Sequence, residues 1–149
     1  MITVKTRLLH PDARLPTYGS VGAACFDFYA YVPNKSTLML PNEPVDFPTG
    51  VSMEIPEGWV LLLYSRSGHA FKSDIRLSNC VGVIDSDYRG EIRVRLVRDC
   101  AGDALPHYID HGDRIAQGML IPATQARLEI VDTLSTTARG AGGMGSTGK

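Results

Sequence analysis

With 149 residues, 44% of them hydrophobic and 21% charged, the chain has the composition of a globular protein and the length for one domain with a real core, which excludes a disordered chain. A formal net charge of −1 provides no global field for nucleic acid or an anionic membrane, so an anionic ligand must be held locally. No apolar run approaches the roughly 20 residues that span a bilayer, and the N-terminal ITVKTRLLH alternates where a secretory signal would be continuous, so a soluble, cytoplasmic protein is expected.

In chain order, a first strand is expected over Met1–Leu9, with Ile2, Val4 and Leu8 on one face and Thr3, Lys5 and Arg7 on the other. His10–Tyr18, with Pro11 and Pro16, reads as a loop. Gly19–Val32, GSVGAACFDFYAYV, opens on glycines and becomes small and aromatic. Asp27 lies inside that run, where burying a lone carboxylate is costly; it either faces solvent or holds a ligand or cation. Short strands follow at Ser36–Leu40, Val45–Ile55 and Trp59–Tyr64, among prolines dense enough to exclude long helices. The continuous run WVLLLY predicts a strand buried on both sides. It leads to Ser65-Arg66-Ser67-Gly68, after which His69–Lys72 permit one or two helical turns capped by Ser67. A phosphate site and a plain cap with a surface arginine both fit that tripeptide.

The densest chemistry is in Asn79–Val97, NCVGVIDSDYRGEIRVRLV, which reads as one β-hairpin: Val81, Val83 and Ile84, a polar turn closed by Gly90, then Ile92, Val94 and Leu96 alternating with Glu91, Arg93 and Arg95. Asp85, Asp87 and Tyr88 at its tip suit either a solvated loop or a site. Asp99–Asp113 looks loop-like, and its His107 and His111, bracketed by Pro106 and Gly112 without a third ligand nearby, argue against a metal centre. A strand is expected from Gly112 through Ile121, and a last alternating one over Arg127–Leu134. Cys25, Cys80 and Cys100 are odd in number and lack metal-like spacing, which predicts reduced, packed thiols. Eight to ten short strands without a long helix make a β-sandwich, jelly roll or barrel. The tail Ala138–Lys149, with five glycines, could not anchor a core and should be mobile. Its GMGSTGK matches a phosphate-loop pattern but lacks the Ser/Thr and helix that must follow, so it is not one. Its glycine N–H groups could still wrap a terminal phosphate.

Five stretches in order, GSVGAACFD (19–27), RSG (66–68), NCVGVIDSDYRGE (79–91), GDRIAQ (112–117) and RGAGGMGSTG (139–148), closely resemble the motifs of the trimeric deoxyuridine triphosphatases. The resemblance implies an all-β, jelly-roll-like β-barrel with one short helix, residues 1–137 forming the barrel and 138–149 a tail that closes over the site. It implies a homotrimer with shared active sites, hydrolysing dUTP to dUMP and pyrophosphate with Mg2+, and thereby limiting uracil in DNA and supplying dUMP for dTMP synthesis. Asn79, Gly82, Val83 and Ile84 would receive the base, and Tyr88 would pack under the sugar and exclude a 2′-hydroxyl. Asp85 would be the general base, with Asp87 structural. Arg66, Ser67, Gly68 and Gln117 would hold the phosphates, and Arg139, Gly145, Ser146 and Thr147 would close over them. Asp27 would contact the water shell of the magnesium ion. Two departures stand out. Met144 takes the place of the tail aromatic that covers the base, and His69 follows RSG where an apolar residue is usual. The rival readings are a dCTP deaminase of the same fold and a non-catalytic jelly-roll interaction protein. The D-S-D-Y stretch and full tail favour the triphosphatase, and intact Asp85, Tyr88 and Arg139 argue for retained catalysis while leaving room for a regulatory protein partner.

Overall fold

The structure, a computed structural model, describes residues 2–33, 35–100 and 105–143. It is all-β with one short helix: β1 (Lys5–Leu8), β2 (Thr17–Tyr18), β3 (Phe26–Tyr29), β4 (Ser36–Met39), β5 (Val45–Pro48), β6 (Val51–Glu54), β7 (Trp59–Tyr64), α1 (Ser67–Ser73), β8 (Ile75–Leu77), β9 (Val81–Ile84), β10 (Arg93–Arg98), β11 (His107–Asp110) and β12 (Arg114–Pro122). The strands form antiparallel ladders in four sheets, β2-β3-β12-β7-β9, β5-β10-β8, β1-β6 and β11-β4. Among the described residues these do not close into a barrel. No helix there is long and apolar enough to cross a membrane.

All four sheets contribute to one core, through Phe28, Phe47, Val51 and Ile109, each at most 1% exposed. β7 is less enclosed than its apolar run suggests. Leu61 and Leu63 are buried, while Val60, Leu62 and Tyr64 on the other face are only half-buried.

Two expected elements are divided between sheets. Val45–Ile55 breaks at Thr49-Gly50 into β5 and β6, which belong to different ladders. Gly50 has φ +68°, and a Cβ there would lie 2.7 Å from that of Ala13, so both conformation and space require glycine. Asn79–Val97 is likewise not a hairpin. β9 pairs with β7, β10 pairs with β5 and β8, and the intervening turn carries the chain from one sheet to the other. The two corners are tied together. Thr49 Oγ1 donates to Ile92 O at 2.6 Å, Ile92 N to Val51 O at 2.8 Å, and Gly50 N to Glu91 Oε1 at 2.8 Å. Buried backbone groups at a sheet corner lose ladder partners, and these bonds replace them.

Two further expectations change. The Asp99–Asp113 loop contains β11, and the expected strand over residues 127–134 has no ladder partner among the described residues. The thiols are free, but Cys80 is exposed rather than packed, because it occupies a left-handed turn position with φ 63°.

In the middle of the five-stranded sheet a Cβ on Gly118 would approach Phe28 Cε2 to 2.8 Å and Leu61 Cδ1 to 2.9 Å. Gly118→Ala should lower unfolding free energy in urea by about 1–3 kcal/mol, the usual cost of overpacking a core. His107 is half-buried, and burial first, then the nearby Arg98 and His69, lower its pKa from 6.5 against the opposing pull of Asp113. The unfolded chain then binds a proton that the folded one resists, so the stability present above pH 6.5 is lost as pH falls below it. His107→Phe should reduce the drop in Tm between about pH 7 and about pH 5.

Candidate functional site

The five-stranded sheet aligns several of the candidate residues in one transverse row. Thr17, Asp27, Gln117, Tyr64 and Val81 are successive cross-strand partners. Asp27 is 9% exposed, and both its oxygens are engaged: Arg66 Nε donates to Oδ1 at 2.8 Å and Arg114 Nη1 to Oδ2 at 3.2 Å. The alternatives for Asp27 therefore resolve as a buried carboxylate holding two protein cations. The cluster carries one excess positive charge, and N–H groups on both guanidiniums remain for an anion.

The residues around this cluster are arranged to serve it. Arg66 itself is the N-cap of α1 with extended backbone, so Ser67 is the first helical residue and makes no capping bond. That corrects the expected cap and leaves the exposed Ser67 hydroxyl available. A Cβ at Gly68 would meet nothing within 4 Å, so the protein's own packing does not account for glycine there. Gln117 donates its amide to Ser65 O at 2.8 Å, which leaves its oxygen and second amide hydrogen for other contacts. His69, whose role the sequence left open, places Nε2 2.8 Å from the Arg114 carbonyl.

A second group lies where β9 and β10 diverge. The gap is a cleft of about 150 Å³, bordered by Asn79, Gly82, Val83 and Ile84 on one side and by Asp46, Arg93 and Arg95 on the other. Gly82 is buried against its cross-strand partner, with a Cβ there 3.1 Å from Leu63 Cβ. Arg93 is paired with Asp46 at 2.9 Å and Glu91 at 3.1 Å. The sequence reading placed Arg93 and Arg95 on a polar strand face but missed that this face borders the cleft, because it had β9 and β10 paired.

The turn between them carries Asp85 and Tyr88. Asp85 is exposed, and its carboxylate makes no hydrogen bond or ion pair among the described residues. Together with Ser86, Asp87 and Arg89 it borders an open groove of about 1200 Å³, with Glu54–Val60 and Ala123–Gln125 opposite. Tyr88 folds back over Gly90 and donates its hydroxyl to Glu91 O at 2.9 Å; a Cβ on Gly90 would sit 2.6 Å from Tyr88 Cζ. Arg89 closes the turn with a 2.6 Å bond to Ser86 O.

These groups do not converge within one chain. Ile84 pairs with Leu61, so Asp85 lies at the Val60 end of β7, whereas Arg66 follows the other end. Six residues of extended chain separate Val60 from Arg66, roughly 20 Å. Arg139 is exposed beyond β12 and bonds Gly142 O at 2.8 Å. Met144, Gly145, Ser146 and Thr147 lie outside the described residues. Among the described residues no cluster of three or more His, Cys, Asp or Glu could hold a metal ion. His107 faces His69, with ring centroids 6.3 Å apart, while His111 accepts from Val32 N at 3.3 Å.

Comparison with known proteins identifies the family. A family model described as dUTPase matches residues 11–148. A deoxyuridine 5′-triphosphate nucleotidohydrolase of Caulobacter vibrioides is 44% identical over 138 residues, 92% of this chain and 87% of that protein. One from Rhizobium rhizogenes is 46% identical over 135 residues, 90% of this chain and 85% of that one. A mutant dUTPase of Staphylococcus bacteriophage 80alpha, solved with dUpNHpp, superposes with a TM-score of 0.85 at 26% identity over 100% of both chains. A mutant dUTPase from phage phi11 of S. aureus, described with a structural Mg(II) ion, superposes with a TM-score of 0.78 at 26% identity, covering 89% of this chain and 98% of that one. With the match extending over nearly the whole length and through every one of the ordered sequence stretches, the chain belongs to the dUTPase family.

Proposed function

We propose that the protein is a dUTP diphosphatase, hydrolysing dUTP to dUMP and pyrophosphate. The observation that carries this reading is the free carboxylate of Asp85 in the turn that directly follows the Gly82–Ile84 strand edging the cleft, in a chain similar to named deoxyuridine triphosphate nucleotidohydrolases. The cleft takes the uracil, with the backbone of Gly82, Val83 and Ile84 and the Asn79 amide facing the base edge. Asp85 accepts a proton from water as the water oxygen bonds the α-phosphorus; the α–β bridging bond breaks, and pyrophosphate leaves with its electron pair. Arg66, Ser67, Gly68 and Gln117 hold the phosphates, Arg139 closes over them with Gly145, Ser146 and Thr147, and Met144 covers the base. Most of the rate comes from positioning and charge neutralisation.

Magnesium fits this site only indirectly. Both oxygens of Asp27 are engaged by arginines, yet a carboxylate has further lone pairs that can accept from a hydrated ion carried by the triphosphate. The ion would supply charge neutralisation on the phosphates.

The active assembly is a homotrimer with shared sites, in a jelly-roll-like arrangement whose β domain is residues 1–137 and whose closing tail is 138–149. Two observations support this. About 20 Å separates the Asp85 and Arg66 ends of β7 within a chain, too far for both to act on neighbouring phosphates of one nucleotide. Beyond β12, Leu128, Ile130 and Leu134 are 92%, 102% and 86% exposed and recur at even spacing, as on a strand made for another copy's sheet.

The deciding assay is pyrophosphate and monophosphate release from dUTP, UTP, dTTP and dCTP with magnesium. Wild type should hydrolyse dUTP alone, Asp85→Ala should lose about 10²–10⁴-fold in kcat, and Asp87→Ala should stay near wild type. Deamination of dCTP would move the protein to the sister activity. Gly90→Ala should displace the Tyr88 ring that lies over it, since the clashing atoms are the movable end of a side chain. The expected outcome is a reduced preference for dUTP over UTP, measured as the ratio of kcat/KM, with stability little changed.

A further inference from the structure

The geometry points to His69 as a positioning residue that fixes the Arg66 guanidinium by holding the carbonyl of Arg114. This rests on the reading of Arg66 as a phosphate ligand. Arg66 Nη1 donates to Arg114 O at 3.1 Å and His69 Nε2 lies 2.8 Å from the same oxygen. A carbonyl oxygen has two lone pairs, so both donors are accommodated when the His69 proton is on Nε2. The β12–β3 register shifts between Arg114 and Ala116, and a bulge of this kind interrupts the ladder and turns its carbonyls toward other partners.

Arg114 thereby joins the pieces. Its carbonyl receives the two side chains from the start of α1, and its guanidinium reaches the Asp27 oxygen opposite the one Arg66 holds. The His69 backbone closes the same loop from the other side, since His69 N and Ala70 N both donate to Arg66 O at 3.1 Å. The imidazole is steadied by the His107 ring, set at 81° to it with centroids 6.3 Å apart. An apolar residue after RSG would leave only Arg66 on that carbonyl. The hydrogen bond from His69 stops the first turn of α1 from sliding along β12, and so keeps Arg66 Nε aimed at Asp27 while its remaining N–H groups face the phosphates.

The test compares wild type with His69→Leu, His69→Gln, Arg66→Ala and the double variant His69→Leu/Arg66→Ala. His69→Leu should lower kcat/KM for dUTP by about threefold to tenfold, the scale of one lost hydrogen bond, and His69→Gln, which keeps an N–H donor at similar reach, should recover most of it. In the Arg66→Ala background His69→Leu should cost nothing further, because the group it positions is gone. A second readout is independent of turnover. The ¹⁵N resonance of Arg66 Nε–H, assigned by its loss in Arg66→Ala, should exchange with water faster in His69→Leu than in wild type or His69→Gln. Equal exchange in all three, full additivity in the double variant, or failure of glutamine to rescue would each overturn the role. Absence of dUTP hydrolysis by wild type would instead overturn the functional reading, and the resonance would still decide the role of His69.

Discussion

The site depends on one electrostatic constraint: a carboxylate removed from water inside an aromatic strand must be paired. Asp27 sits between Phe26 and Phe28, and the cost of burying its charge is several kcal/mol unless cations are brought to it. The two arginines do not contribute equally. The Arg66 side chain is 21% exposed and that of Arg114 52%, so water screens the second pair far more and the first one decides the geometry. Because Arg66 is also the N-cap of α1, its bond to Asp27 fixes where the helix starts and which side chains follow it. The fold thus holds a net positive cluster in place by its own ion pairs, which is the preorganisation that the proposed phosphate-binding role calls for.

A second constraint acts at the sheet corners. Two strands that follow one another in the chain but belong to different sheets must part, and the point of departure opens a gap. β9 and β10 part in this way, and the cleft of about 150 Å³ lies between them. The corner does not collapse because Thr49, Gly50, Val51, Glu91 and Ile92 satisfy one another's polar groups across it. Cleft and corner arise from the same change of ladder. A cleft therefore accompanies the fold and requires no separate loop.

What the sequence made legible was local chemistry; what it concealed was pairing. β7 and the helical turn after RSG were readable because apolar runs and breakers are short-range signals, and the ordered stretches from Gly19 to Gly148 identified the family. The supposed hairpin at Asn79–Val97 failed because alternation specifies which faces are apolar without naming the neighbouring strand. For the same reason Arg93 and Arg95 passed as plain surface residues, although they border the cleft. The polarity of Asp27 was visible, but its partners, Arg66 and Arg114, lie 39 and 87 residues away and no local pattern connects them. The segment 127–134 was read as a strand from the alternation in its sequence, but among the described residues it has no neighbouring strand and so no ladder to complete.

That last case bears on how the site is assembled. An alternating segment with Leu128, Ile130 and Leu134 almost fully in water leaves apolar area exposed at about 25 cal/mol per Å², a standing drive toward another surface. The same chain holds its free carboxylate and its excess cations at opposite ends of one strand. Each feature alone has a simple explanation, a loose segment in one case and two unrelated surfaces in the other. Taken together they have a common one. In the homotrimer proposed above, a copy that lends its exposed segment to a neighbour would also bring the Asp85 turn of one chain toward the Arg66 end of another, so that one association would both cover the apolar residues and complete the proposed reaction centre.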